Sequence, residues 1–180
     1  MPMGNKTLPN NNLFTTVHGI LLEVKGLGIL IIGKSGVGKS DTALELITRG
    51  SKLITDDVVE ITVGKSGELI GSGPDKTKHL MEIKGLGIIN IMDLYGDKYI
   101  LKNRNINMVI ELTRWDSNIE YDRLGVEENY YNIMGVELPH LLLPIRPTTN
   151  TATIIELAIR NQIFKSNNKR TNQEQLKNAG

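Results

Sequence analysis

Short aliphatic runs separated by glycine and polar residues dominate the first half of the chain. Ile20-Leu21-Leu22-Glu23-Val24 and Ile29-Leu30-Ile31-Ile32, joined by Lys25-Gly26-Leu27-Gly28, predict two strands about a glycine-containing turn. The second run leads straight into a glycine-rich stretch. Beyond it, Ala43, Leu44 and Ile47 recur at helical spacing between Lys39 and Arg49, and Gly50 supplies the stop. Leu53-Ile54-Thr55 predicts a brief strand ending in Asp56-Asp57. Val58 to Val63, the turn Gly64-Lys65-Ser66-Gly67 and Glu68-Leu69-Ile70 extend the strand-rich middle. Further strands are expected at Ile88-Ile89-Asn90-Ile91, Met108 to Leu112 and Leu141-Leu142-Leu143. A helix from Ala152 to Phe164 closes the core. So many strands for so few helices predict an α/β fold on a mixed sheet rather than a regularly alternating doubly wound one.

Composition narrows this picture. A chain of 180 residues with 39% hydrophobic content supports one well-packed domain. Asn10-Asn11-Asn12 and the stretch from Lys165 onward are polar, so a flexible segment over 1–14, a domain over 15–165 and a polar tail over 166–180 are expected. Lysine and arginine number 21 against 20 acidic residues, a balance that gives no electrostatic reason to expect nucleic acid or an anionic membrane as partner. With no cysteine, disulfides, thiolate metal sites and cysteine nucleophiles are excluded. The longest aliphatic stretch, Ile29-Leu30-Ile31-Ile32, falls far short of the ~20 residues that span a bilayer, and no apolar signal region follows Met1. A soluble, cytoplasmic protein is expected.

The candidate chemistry begins at Gly33-Lys34-Ser35-Gly36-Val37-Gly38-Lys39-Ser40, which satisfies G-x-x-x-x-G-K-[ST] between a predicted strand and a predicted helix. Gly36 and Gly38 allow positive φ, so that backbone N–H groups and the helix N-terminus converge on phosphate oxygens. Lys39 would reach the β- and γ-phosphates, and the Ser40 hydroxyl would ligate Mg²⁺. Transfer to a hydroxyl also needs a carboxylate to accept its proton, and the metal needs a further oxygen ligand. Asp56, Asp57 and Glu82 are the candidates, and position alone does not decide between the two aspartates.

With the loop, Asp56-Asp57 and Met81-Glu82-Ile83-Lys84-Gly85-Leu86-Gly87-Ile88-Ile89-Asn90 in view, the chain resembles the catalytic domain of bacterial HPr kinase/phosphorylase. The likeness extends from His18-Gly19 through Ser40 to Leu46 and Tyr121-Asp122-Arg123-Leu124-Gly125 to Ile154-Ile155-Glu156, about three quarters of the chain. It implies a phosphate-loop kinase core like that of phosphoenolpyruvate carboxykinase. It also implies an enzyme that phosphorylates a serine of the phosphocarrier HPr with ATP or pyrophosphate, removes that phosphate by phosphorolysis, and assembles as a hexamer. Under the resemblance, Lys39 is the phosphate-binding lysine, Ser40 and Glu82 the Mg²⁺ ligands, and Asp57 the residue that exchanges a proton with the serine. His18 and Arg123 match the remaining active-site positions. His79 and His140 match none, and Trp115 and Tyr130-Tyr131 read as packing residues.

Three departures qualify the likeness. The family carries an additional N-terminal domain, whereas almost nothing precedes His18, so a catalytic domain alone is expected. The family's Pro-x-[RK]-Pro-Gly-Arg-Asn segment, linked to dephosphorylation, here reads Pro144-Ile145-Arg146-Pro147-Thr148-Thr149-Asn150. Loss of an arginine that could orient inorganic phosphate predicts weakened phosphorolysis beside retained kinase activity. The polar end beyond Phe164 is also shorter than the family's HPr-docking helix. Two alternatives stand beside this reading. A small-molecule phosphate-loop kinase leaves Met81 to Asn90 unexplained, and a nucleotide-binding regulatory module with little catalysis leaves Asp57, Glu82 and Arg123 without a purpose.

Overall fold

The computed structural model describes residues 14–121 and 128–178, with side chains through Lys169. The chain runs β1 (Phe14–His18), β2 (Ile20–Val24), β3 (Leu27–Gly33), α1 (Lys39–Thr48), β4 (Lys52–Thr55), β5 (Val58–Val63), β6 (Leu69–Ser72), β7 (Leu80–Ile83) and β8 (Gly87–Asn90). It continues through α2 (Ile91–Tyr95), β9 (Asn103–Arg114), β10 (Asn129–Ile133), β11 (Val136–Ile145) and α3 (Thr151–Asn178). This is a mixed α/β fold. A nine-stranded sheet is ordered β1-β5-β6-β9-β3-β2-β4, with β11 parallel to β9 and β10 antiparallel to β11. Strands β7 and β8 form a separate hairpin. No helix among the described residues is long and apolar enough to cross a membrane.

Alternation along the central strands builds two cores. Ile20, Leu22, Ile29, Ile31, Ile110 and Leu112 face α1 and α3, packing on Ala43, Leu46, Ile47, Ile155 and Ile159. Leu21, Leu30, Ile32 and Val109 face the other way, against Val59, Ile61 and Leu69 of the strands that fold over the sheet. Strand β9 changes phase between Ile106 and Met108, where its pairing with β3 skips Asn107. That bulge sends Ile106 and Met108 to opposite cores, and the Asn107 side chain accepts the Gly28 N–H at 2.8 Å.

Several elements depart from expectation. An unforeseen strand, β1, ends in His18: it is an edge strand whose alternating half-exposed residues carry too little apolar signal to be read locally. Ile91 opens α2 instead of extending a strand, because the Asn90 side chain accepts the N–H groups of Met92 and Asp93 at 3.0 and 3.3 Å. The polar stretch after Phe164 continues α3 to Asn178 rather than forming a loose tail. No proline or glycine interrupts it, and residues such as Lys165, Lys169 and Gln173 are good helix formers. Lys169 adds an ion pair to Glu128 at 3.1 Å.

Candidate active site

Strand direction brings distant residues to one edge. Strand β3 ends in the phosphate loop, and β9 and β11 run parallel to it, so all three end at the same edge. Strand β2 starts there, since Ile20 pairs with Ile31, and β4 finishes there, since Thr55 pairs with Leu21. Across this edge lie, in order, Asp56-Asp57, His18-Gly19, the phosphate loop, Trp115 and Arg146.

The phosphate loop is shaped before any ligand arrives. Gly33, Gly36 and Gly38 have φ of 143°, 76° and 103°. Val37 between them is buried and seats the loop on the main core. Gly38 occupies the N-cap of α1 without a side-chain cap, so the first-turn N–H groups of that helix remain open to an anion. The Lys39 ammonium donates to the carbonyl oxygens of Gly33 and Lys34 at 2.8 and 3.2 Å, a fold-back that phosphate oxygens would replace.

The carboxylates stand opposite this loop. A cleft of about 580 Å³ is lined by Gly36, Lys39 and Ser40 on one side and by His18, Asp56, Asp57 and Glu82 on the other. Asp57 has φ of 74°, and Val58 N–H donates to the Asp56 carbonyl at 3.0 Å across it, which makes Asp57 the apex of the rare γ-turn of positive φ. Gly19 N–H donates to the Asp57 carbonyl at 3.0 Å, locking that turn to the β1–β2 junction. His18 Nδ1 thereby lies 3.0 Å from Asp57 Oδ1, with both side chains exposed to the cleft. Arg123 lies outside the described residues.

The geometry separates the two aspartates. Half-buried Asp56 accepts the N–H of Asp57 at 3.0 Å through one carboxylate oxygen and the N–H of Glu82 at 3.1 Å through the other. Its carboxylate is a clamp between the γ-turn and β7, whereas the exposed Asp57 carboxylate meets His18 and the open cleft. Burial pushes the Asp56 carboxyl above the usual range. The two backbone N–H bonds oppose that rise, and the charges of Asp57 and Glu82 add to it. Asp56→Ala is expected to lower kcat by up to about 10²-fold through displacement of Asp57 and Glu82, with a melting temperature only a few degrees below wild type. Parallel rate and melting measurements check this.

The donors fit a magnesium ion. Ser40 and Glu82 offer hard oxygen donors on one cleft, and the charges of Asp57 and Glu82 beside Asp56 are what a divalent cation would relieve. Among the described residues no cluster of three His, Asp or Glu side chains converges tightly enough to hold a metal alone. The remainder of the ion's shell would come from nucleotide and water.

The sequence profile of the HPr Serine kinase C-terminal domain matches residues 12–179. The chain belongs to that family. It is 52% identical over 147 residues to the HPr kinase/phosphorylase of Geobacillus thermodenitrificans, covering 82% of this chain and 48% of that protein. It is 48% identical over 151 residues to the HPr kinase/phosphorylase of Geobacter sulfurreducens, covering 84% and 47%. The chain thus spans about half the length of the curated relatives it matches. The solved structure of the Hpr(Ser) kinase/phosphatase from Coxiella burnetii superposes with a TM-score of 0.81 at 29% identity, covering 89% of this chain and 97% of that one. Within this family domain Trp115, read from the sequence as a packing residue, lies just beyond β9 at the same sheet edge. It is 40% exposed and stacked on Arg146, not packed in the core. Of the two tyrosines read with it, Tyr131 packs against the second core, but Tyr130 is exposed and donates its hydroxyl to Glu128 at 2.9 Å.

Proposed function

We propose that this domain transfers the γ-phosphoryl group of ATP to a serine hydroxyl of HPr, with a weaker reverse phosphorolysis. The observation that carries the reading is the meeting of Asp57 and the phosphate loop in one cleft, with His18 3.0 Å from Asp57. The loop N–H groups and Lys39 would hold the phosphates in line with the acceptor. Ser40 and Glu82 would hold Mg²⁺, which when bound neutralises phosphate charge. Asp57 takes the serine proton as its oxygen attacks, and His18, with Nδ1 3.0 Å from Asp57, orients that carboxylate. In reverse, inorganic phosphate attacks the phosphoserine phosphorus, the bond to serine breaks, and Asp57 returns a proton to the serine oxygen as pyrophosphate forms. Arg123 would stabilise charge on the transferring group. A cytoplasmic setting and a hexameric assembly complete the reading.

The decisive experiment mixes the protein with Mg·ATP and HPr and follows serine phosphorylation. Normal ATP binding without phosphorylated HPr overturns the proposal and favours a binding module. Thr148 and Thr149 stand where the family pattern has glycine and arginine, so phosphorolysis should run well below the forward rate. Thr149→Arg is expected to raise pyrophosphate release from phosphorylated HPr by about 10-fold, the scale of one charge-assisted pair with phosphate. A wild-type reverse rate equal to the forward one, unchanged by the substitution, rejects the weakened direction.

A further inference from the structure

The γ-turn that carries Asp57 is strained, because a non-glycine residue at φ of 74° persists only where its surroundings over-determine it. Two of its restraints act from the cleft side. Gly19 N–H donates to the Asp57 carbonyl, and the half-buried Asp56 carboxylate accepts the N–H groups of Asp57 and Glu82. A third comes from inside the fold. The Thr55 hydroxyl lies 3.0 Å from the Val58 carbonyl and donates to it, spanning both aspartates from one end of the turn to the other. Its single proton goes there, since the Asp56 carbonyl is more distant at 3.4 Å. Thr55 is only 3% exposed, so water does not compete for that bond as it does at the cleft surface.

Strand β4 is bulged in a way that aims this hydroxyl. Leu22 pairs with Leu53 but Leu21 pairs with Thr55, so the pairing skips Ile54. Opposed residues of an antiparallel pair share a face, and Leu21 belongs to the second core. The bulge therefore turns Thr55 away from α1 and α3 and toward the strands that fold over the sheet. There its side chain meets Gly73, the residue after β6. A Cβ on residue 73 would stand 2.3 Å from Thr55 Oγ1 and 2.5 Å from Thr55 Cβ. Gly73 is not among the glycines of positive φ, so what the site requires of it is the missing side chain alone. The chain runs on from Gly73 to Thr77 and Leu80 of the cleft wall. The contact thus joins the two stretches from which that wall is built.

We propose that Thr55 is a positioning residue for Asp57: its hydroxyl, admitted by the bare backbone of Gly73, closes the turn that holds the carboxylate toward His18 and the phosphate loop. The inference rests on the reading of Asp57 as the base that takes the serine proton. A small displacement of that carboxylate slows transfer without touching the loop that binds the phosphates. The role needs a hydroxyl rather than bulk, so serine serves in it and valine does not.

The test compares Thr55→Val, Thr55→Ser and Gly73→Ala in the full chain. It reads serine phosphorylation of HPr, calorimetric affinity for Mg·ATP, and the imidazole NMR signals of His18, one of three histidines. Thr55→Val removes the donor and sets a methyl against the Val58 oxygen. Its kcat is expected to fall about 10-fold, the scale of one buried hydrogen bond lost, with ATP affinity within about 2-fold of wild type. Thr55→Ser keeps the donor and stays within about 2-fold of wild type in rate. Gly73→Ala displaces Thr55 from the other side and lowers kcat by a similar factor, and the two losses should not add in the Thr55→Val/Gly73→Ala double variant. The His18 signals, which sense the Asp57 carboxylate 3.0 Å away, should shift in Thr55→Val and Gly73→Ala but not in Thr55→Ser. Wild-type rate and His18 signals in Thr55→Val, a loss in Thr55→Ser as large as in Thr55→Val, or an equal fall in ATP affinity overturns the proposal. His18 signals that move in Thr55→Val and hold in Thr55→Ser, in a protein that phosphorylates no HPr, uphold the positioning role and defeat the kinase reading alone.

Discussion

Asp57→Asn is expected to slow serine phosphorylation by about 10²–10⁴-fold while ATP binds within about 2-fold of wild type, the range a general base contributes. Asparagine keeps the shape of the side chain and tolerates the positive φ of 74° that the γ-turn imposes, so the fold and the turn persist. What disappears is the basic oxygen that takes the serine proton. The amide also presents Nδ2 or Oδ1 to His18 without the carboxylate charge, so the histidine loses its anionic partner at 3.0 Å. Steady-state transfer from Mg·ATP to HPr, set beside calorimetric ATP affinity, reads the two effects apart. Equal loss of both would place Asp57 in nucleotide binding rather than in proton transfer. Undiminished transfer would return the role to Asp56, whose two carboxylate oxygens are already engaged by backbone N–H groups.

That competition between neighbouring aspartates marks the limit of what local sequence can say. The phosphate loop was legible because its chemistry is contiguous: a strand, the glycines, Lys39 and Ser40, and a helix follow one another along the chain. Strand β5 was legible residue for residue from Val58 to Val63, bounded by Asp57 and Gly64. The roles of Asp56 and Asp57 depend instead on a γ-turn hydrogen bond and on the Glu82 N–H, which is 26 residues away in sequence. Neither leaves a periodic trace, and the family likeness had to choose between them.

The same distinction explains Trp115. A lone tryptophan beside a strand most often packs inward. Its exposure here follows from the parallel pairing of β9 with β11, which brings Arg146 beside it across some thirty residues of sequence. Long-range register also hid β1, since the half-exposed Phe14–His18 becomes a strand only by pairing with β5. Helix α3 was underestimated for a different reason. From Lys165 to Lys169 it adds no residue to the core, so apolar periodicity fades while helix propensity and the absence of Gly or Pro carry it on.

Gly33→Ala is expected to damage both fold and loop, because at this position the backbone needs what only glycine supplies. Its φ is 143°, and a Cβ there would stand 2.4 Å from the Leu112 carbonyl oxygen, inside any permitted contact. That oxygen belongs to β9, and Gly33 pairs with Leu112 in the central sheet, so no flexible side chain can move aside to relieve the overlap. The Val37 side chain, 3.1 Å from the same Cβ, seats the loop on the core and is pushed in turn. Backbone strain of this kind costs about 1–3 kcal/mol, which lowers the melting temperature of a domain this size by about 2–12 °C. The Gly33 carbonyl also holds the Lys39 ammonium at 2.8 Å, so a shifted residue 33 misdirects the lysine. ATP affinity should therefore fall by about 10-fold, the scale of a hydrogen-bonded charge lost from its phosphate. The matched control is Gly26→Ala, at a positive-φ glycine with nothing within 4 Å of the added Cβ. It shares the conformational strain but neither the overlap nor the loop. If the two variants melt together and bind ATP alike, the close approach to Leu112 is not what shapes the phosphate loop.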